Sequence, residues 1–395
     1  MCALYVALQF VMADFYPHVM FLSPWYPNRY DAMMGLFVRK HALAVSRYVR
    51  VTVLYLHEDG HACKTELLDQ TVETIREISV YYPKSEFFPR LAYNKAFAEG
   101  WEYVVKHCGM PDLTHVSVFG KQAWSAYRLY RKYGIPYVVT EHWTGYLQSN
   151  MRYKGLLRKK ITELVARNAR CIMPVSENLA MNMQRVGLKG NYRVVYNVVD
   201  DFFYNPVAAS SADANIVRLL HVSCFDDKAK NVSGLLRAVE RLRHRRTDFL
   251  LTLVGTGMDF AMCRDLARQL GIDDICTFTG ELQPREVADL MRRHDVFVLN
   301  SNYENAPVVI SEALAVGLPV VSTNVGGISE MVSLNEGILV RPNDTDALVE
   351  ALDTMCSTYV QYDKAAIRNR GLQYSFDIVG KEIYNIYKVS VSDSR

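Results

Sequence analysis

The chain has 395 residues, 50% hydrophobic and 22% charged, with 45 Lys and Arg against 42 Asp and Glu. That length favours two domains, each able to bury its own core, and a formal net charge of +3 is too mild for a nucleic-acid binder. Eight cysteines are scattered with no C-x-x-C and no His/Cys group at zinc spacing, so they read as reduced thiols in a cytosolic protein.

The opening stretch MCALYVALQFVMADFYPHVMFLSPWYP has the apolar look of a leader. It lacks a basic start, and Asp14 interrupts the run. The favoured expectation is a true start at Met12 or Met20, because the strand pattern begins only at HVMFLSP. No run reaches the ~20 apolar residues of a membrane span. Short β-rich runs then alternate with helical patterns. The first half offers HVMFLS, VRVTVLYL, THVSVFG, PYVVTEH, CIMPVS and RVVYN as strands. The second half offers IVRLLHVSC, FLLTLVG, CTFTG, DVFVLN, LPVVST and GILV, with helical patterns at 231–246, 259–271, 284–294 and 308–316. Such alternation predicts βαβ units and mostly parallel sheets. Two series predict two doubly wound, Rossmann-like domains facing a cleft, with the break near 197–215.

The segment 152–170 carries seven basic residues and one acidic one, and Leu157, Ile161, Leu164 and Val165 share a helical face. It admits two readings. One is a helix that binds an anionic lipid surface; the favoured one is a helix whose apolar face packs on its own sheet.

ENAPVVISEALAVGLPVV (304–321) holds two glutamates eight positions apart. DVFVLN reads as a buried strand and SNYENA as a loop. Asn305 is expected as N-cap, Pro307 in the first helical turn, and Gly317 as the stop. Glu304 then lies at a strand's carboxyl end, beside a helix N-terminus that suits phosphate. Glu312 lies on the face of Val308 and Val309, which should pack on the sheet. A buried carboxylate needs donors, and a vicinal diol supplies two. Phosphate at the helix end with a carboxylate for a sugar on either side matches a nucleotide sugar. The bland alternative is a solvated Glu304 and a Glu312 paired with a nearby Lys or Arg.

The ordered set of motifs resembles the E-x7-E signature and flanking segments of retaining glycosyltransferases of family 4, which have the GT-B fold. SPWYPNRYDAMMGLFVRKHALAV, VVTEHW, IMPVSENLAMNM, VVYNVVD, LLTLVGTG, FTGELQPREVADLMRRHDVFVLNSNYEN and NVGGISEMV follow in the expected order over about 20–390. The resemblance implies an acceptor-binding domain over 1–200, a donor-binding domain over 201–375, and a last helix over 376–395 that crosses back to the first domain. It implies Glu312 on the ribose diol and Glu304 on the donor sugar. Backbone N–H groups of Asn305, Ala306, Pro307 and Val308 would meet the sugar and diphosphate. Lys230 would neutralise the diphosphate, and Gly35 would let a loop approach it. The base would rest near Leu282, and His142 would sit near the sugar's C6 side and the acceptor. No nucleophile is nominated. The family usually carries an arginine six residues before this lysine, and here that position is Cys224.

The function implied is metal-independent, retaining transfer of a sugar from a nucleoside-diphosphate sugar to a glycan or lipid-linked acceptor. Its setting would be cell-surface polysaccharide biosynthesis. No cofactor, metal or nucleic acid is expected. Asp226–Asp227 and Asp273–Asp274 read as turn or capping residues, not as metal ligands. The location implied is cytoplasmic, with peripheral contact at the inner membrane face as an option. Two rivals stay open: a nucleotide-sugar epimerase on the same scaffold, and a weak or inactive binder marked by Cys224.

Overall fold

The computed structural model describes residues 16–205 and 215–392. The expected start at Met12 and the break at Asp14 lie outside the described residues; Met20 lies inside the first strand.

The first domain contains β1 (His18–Ser23), α1 (Leu36–Ser46), β2 (Arg50–Asp59), β3 (Glu66–Val72), β4 (Ile75–Pro83), α2 (Pro89–Cys108) and β5 (Leu113–Ser117). It continues with α3 (Lys121–Tyr133), β6 (Tyr137–Glu141), α4 (Leu156–Asn168), β7 (Cys171–Pro174) and α5 (Glu177–Arg185). Its sheet runs β3-β4-β2-β1-β5-β6-β7, parallel except for the β3–β4 hairpin at one edge. The hairpin was absent from the expected strands, and its turn places Glu73 in the left-handed region at φ 52°. RVVYN, expected as a strand, is not one. It lies beside β7, where Arg193 and Val195 donate to Ile172 O and Pro174 O, without forming a ladder.

The second domain contains β8 (Val217–Val222), α6 (Asp227–Lys230), α7 (Val232–Arg243), β9 (Phe249–Val254), α8 (Phe260–Gln269), β10 (Cys276–Gly280) and α9 (Pro284–Arg292). It continues with β11 (Val296–Leu299), α10 (Val308–Val316), β12 (Val320–Thr323), α11 (Ile328–Met331), β13 (Gly337–Val340), α12 (Thr345–Thr358) and α13 (Lys364–Gly371). Its six strands are all parallel, in the order β10-β9-β8-β11-β12-β13. All four residues of β11 are fully buried, as expected for a central strand covered by helices on both faces.

The last helix, α14 (Phe376–Ser392), returns to the first domain and packs on α1. A Cβ on Gly380 would lie 2.4 Å from Ala44 O, so only glycine permits this approach. Tyr384 stacks on Tyr48, and the Tyr387 hydroxyl meets His115 Nδ1 at 2.5 Å. One apolar cluster spans both domains, from Leu54 through Phe203 to Ile310 and Tyr374.

Each sheet reverses its strand order beside its first strand. In the second domain the reversal falls between β8 and β11, so the loops after those two strands meet. Such a switch point is where doubly wound sheets bind ligands.

Candidate active site

The loop after β11 is fastened to the segment after β8 by backbone-directed bonds. Asn302 N–H donates to Ala229 O at 2.8 Å, its side chain to Lys228 O, and the Asn300 side chain to Asn231 O. Thr323 Oγ1 ties the same loop to the sheet through Ser301 O. This brings Lys230 Nζ to 2.5 Å from Glu304 Oε1, and the Ser301 hydroxyl donates to the same oxygen at 2.7 Å. Glu304 is 8% exposed, which excludes the solvated reading. Burial works against the Lys230 charge, but the adjacent Glu304 carboxylate outweighs it and raises the lysine above its usual range. Gly326 lies against this loop with φ 58°; a Cβ there would come within 1.7 Å of Glu304 O. Gly327 N–H donates to Asn305 O at 2.7 Å.

Asn305 is not the N-cap. The helix begins at Val308 with Pro307 in the cap position, and no side chain caps it. The Asn305 amide reaches across the cleft instead and donates to His142 O at 2.6 Å. Pro307 has no N–H, so it cannot be one of the expected backbone donors. Asn305, Ala306 and Val308 keep theirs, and the uncapped end of α10 presents its dipole beside Glu304. Asn197 joins the same seam by donating to Ala306 O. Asn305 Oδ1, Asn197 Oδ1 and His142 Nε2 are buried without a protein partner. Buried polar atoms of this kind are normally satisfied, and a polyhydroxyl ligand has the groups to do so.

Glu312 is also 8% exposed, but its partner lies in the other domain. Lys40 Nζ of α1 is 3.7 Å from Glu312 Oε1 and 2.8 Å from Asp200 Oδ2. The Glu312 carboxylate is thus paired with a lysine of the facing domain. Burial pushes the Glu312 carboxyl up to about 7, with Lys40 opposing and Asp200 adding to the rise. Lys40 carried no signal in the sequence, since a lone lysine on an amphipathic helix usually faces water.

His142 follows β6. Its ring lies 4.4 Å from Phe37 and 5.6 Å from His41. Burial, then the neighbouring His41 and His115, holds it well below the usual histidine range, so it is neutral at pH 7. Glu141 fixes its backbone: one carboxylate oxygen accepts the N–H of His142 at 2.9 Å and of Trp143 at 2.8 Å, the other that of Phe119 at 3.0 Å. Burial raises Glu141 to about 7 against these three donors. The sequence reading passed over Glu141, although a carboxylate in an otherwise apolar stretch, here at the end of strand β6, is the kind of signal that singled out Glu312 inside its helix. Gly35 has φ 63°, and a Cβ there would sit 2.3 Å from the Trp25 carbonyl carbon. It permits the close turn that starts α1 and sets Phe37 on His142. Leu282 is half-buried just past β10, and its neighbour Gln283 opens α9 with a capping box.

Cys224 is exposed at the end of β8. Asp226 caps α6, and Asp227 binds both the N–H and the hydroxyl of Ser233 at the start of α7. Asp274 pairs with Arg243. Among the described residues no group of three His, Cys, Asp or Glu could hold a metal ion.

Two α/β domains of mostly parallel sheets, joined by a crossing C-terminal helix and bonded across the cleft through Asn305 to His142 O, Asn197 to Ala306 O and Lys40 to Glu312, have the GT-B architecture of glycosyltransferases. Sequence comparison agrees: residues 41–201 match the model of Glycosyltransferase Family 4, and residues 215–370 that of Glycosyl transferases group 1. The chain belongs to this group 1, family 4 class of glycosyltransferases. An uncharacterized glycosyltransferase of Methanocaldococcus jannaschii is 30% identical over 41% of this chain and 42% of its own. Glycogen synthase of Mycobacterium tuberculosis is 28% identical over 66% of this chain and 62% of its own. The chain thus spans less than two thirds of either relative's length. N-acetyl-alpha-D-glucosaminyl L-malate synthase of Bacillus anthracis is 28% identical over 70% of this chain and 71% of its own. Sucrose-phosphate synthase of Thermosynechococcus elongatus superimposes with a TM-score of 0.77 at 20% identity, over 95% of this chain and 100% of that one. HepE of Anabaena in complex with UDP does so with 0.73 at 17% identity, over 94% and 100%. At such identities the likeness establishes the fold.

Proposed function

We propose that this chain is a retaining, metal-independent glycosyltransferase. It moves a sugar from a nucleoside-diphosphate sugar to a hydroxyl of a glycan or lipid-linked acceptor in cell-surface polysaccharide assembly. It works in the cytoplasm, at the inner membrane face. The observation that carries this reading is the buried Lys230–Glu304 pair at the switch point, set beside the uncapped N-terminus of α10. The UDP held by HepE and the polysaccharide made by glycogen synthase support the donor and product classes.

In the transfer, the bond between the anomeric carbon and the diphosphate oxygen breaks. The bond to the acceptor oxygen forms on the same face, and the acceptor's proton passes to the departing phosphate oxygen. Negative charge grows on the diphosphate, and preorganised donors lower that barrier. Lys230 and the α10 amides supply them. Glu304 and the free Asn305 Oδ1 take sugar hydroxyls, and Glu312 takes the ribose diol. Neutral His142 offers a hydrogen bond rather than a transferable proton. The base lies along the backbone near Leu282, and Gly35 keeps the opposite loop close.

One observation favours the second reading, a weak or inactive binder. Lys230 is already paired with Glu304, and Cys224 stands where the second cation is expected. The test is incubation with nucleoside-diphosphate sugars and a panel of saccharide and lipid-linked acceptors in EDTA, with the product's anomeric configuration read by NMR. Acceptor-dependent product of retained configuration supports the proposal. An altered free sugar without acceptor indicates an epimerase, and binding without any turnover indicates the inactive reading.

A further inference from the structure

We propose that the face formed by the first turns of α2, α3 and α4 docks on an anionic phospholipid surface, with the acceptor side of the cleft held toward the bilayer. This builds on the peripheral location proposed above and is independent of the transfer chemistry.

The favoured sequence reading of 152–170 packed its apolar face on the sheet. The structure corrects it. Thr162, Val165 and Ala166 turn inward, whereas Leu156 is 82% exposed, Leu157 62%, and Ile161 and Leu164 are exposed as well. Leu157, Ile161 and Leu164 follow the i, i+4, i+7 spacing of one helical stripe. Between this stripe and α3 lies a groove of about 460 Å³. Tyr93, Phe119 and Trp124 line it with Leu157, and Arg90, Lys121 and Arg158 supply its cations. Phe87, 87% exposed, together with exposed Phe88 and Leu91, flanks Arg90 in the chain. Single exposed leucines are ordinary, but a contiguous group rimmed by charge marks an interaction surface.

The charge selects the occupant. Arg90, Lys121, Lys154, Arg158, Lys160 and Arg167 are all exposed on or beside these helices, and none is ion-paired to a carboxylate among the described residues. Apolar side chains with free cations around them suit the boundary of an anionic bilayer. The face also connects to the candidate site. The Arg158 guanidinium lies 4.4 Å from the Trp143 ring, next to His142. Phe119, in the groove wall, donates to the carboxylate that also holds the His142 and Trp143 amides. All three helices start from carboxyl ends of strands, the edge that faces the cleft.

The experiment is co-sedimentation of the whole chain with phosphatidylcholine vesicles, with and without phosphatidylglycerol. Wild type should pellet only with the anionic vesicles and be released by high salt. Lys154→Glu/Lys160→Glu should lose the binding, and Leu157→Ser/Ile161→Ser should weaken it at least several-fold. Both variants replace exposed side chains, so their melting and their nucleotide binding should match wild type. The proposal is overturned if wild type ignores anionic vesicles or if both variants bind as wild type does. It is also overturned if light scattering shows a wild-type dimer that Leu157→Ser/Ile161→Ser dissociates, which would make the face a self-interface. Vesicle binding without nucleotide binding would sink the donor-site reading and leave this one standing.

Discussion

Glu304 and Glu312 are eight residues apart and equally buried, yet one is paired within its own domain and the other depends on a partner from across the cleft. Glu304 has its lysine at 2.5 Å, on a segment fastened to its own loop within one domain. Glu312 depends on Lys40, which approaches from the other domain, stands 3.7 Å away and is shared with Asp200. Coulomb attraction falls with distance and desolvation does not, so the longer, shared contact leaves Glu312 near 7. The lesson is that the second domain can set its Glu304 end alone, while the Glu312 end senses how the two domains meet.

The contrast breaks most sharply at Lys230. Lys230→Met leaves Glu304 buried without its cation. Removing one member of a buried pair costs about 3–5 kcal/mol, read by urea unfolding. Turnover should fall by roughly 10²–10³-fold, as for loss of a preorganised transition-state donor. Adding Glu304→Gln should restore most of the stability and none of the turnover. If the double variant stays as unstable as the single one, the pair is not what sets this end of the site.

Glu312→Gln should act oppositely on stability and binding. The folded-state pKa of Glu312 is raised from 4.5 to about 7. The stability linked to its protonated form is therefore full below 4.5 and lost as pH rises through about 7. The glutamine variant should outlast wild type above neutrality, by up to roughly 3 kcal/mol. It should bind the donor about tenfold or more weakly, since hydrogen bonds to a charged acceptor are worth about 1.5–3 kcal/mol each. Equal melting of the two proteins on both sides of pH 7 would show that Glu312 is not buried against its charge.

In wild type, donor affinity should fall by about tenfold per pH unit below neutrality, as Glu312 takes up its proton. Lys40 is what holds this carboxyl down. Lys40→Met should therefore move the midpoint of the affinity profile upward and weaken binding several-fold at pH 7. An unmoved midpoint would separate Lys40 from Glu312. The smallest expected effect is a gain: Cys224→Arg should raise turnover by about tenfold or less. A rise from no detectable turnover would identify the native chain as a binder.

The parts of this site that lie within one domain were readable from the sequence. A carboxylate inside ALAV-type surroundings and a stop at Gly317 are local facts, and the structure keeps them; Lys230 came only from the family resemblance. What crosses the cleft was not. Asn305 is a good cap type, but its amide is drawn to His142 O, a partner 163 residues away in the chain. Lys40 and Asn197 carry no local mark of their cross-domain bonds. The β3–β4 hairpin escaped because Glu73 occupies a left-handed turn position that favours glycine or asparagine. Amphipathic spacing in α4 grouped Leu157, Ile161 and Leu164 correctly but added Val165, which turns inward. It could not tell whether a neighbouring element covers that stripe.

Calorimetric titration with UDP, GDP and ADP, with and without EDTA, in wild type, Lys230→Met and Glu312→Gln, tests the central claim most directly. One diphosphate should bind wild type regardless of EDTA, be lost in Lys230→Met and weaken in Glu312→Gln. No binding by any nucleotide, binding abolished by EDTA, or equal affinity in all three proteins would contradict a donor site built on these two glutamates.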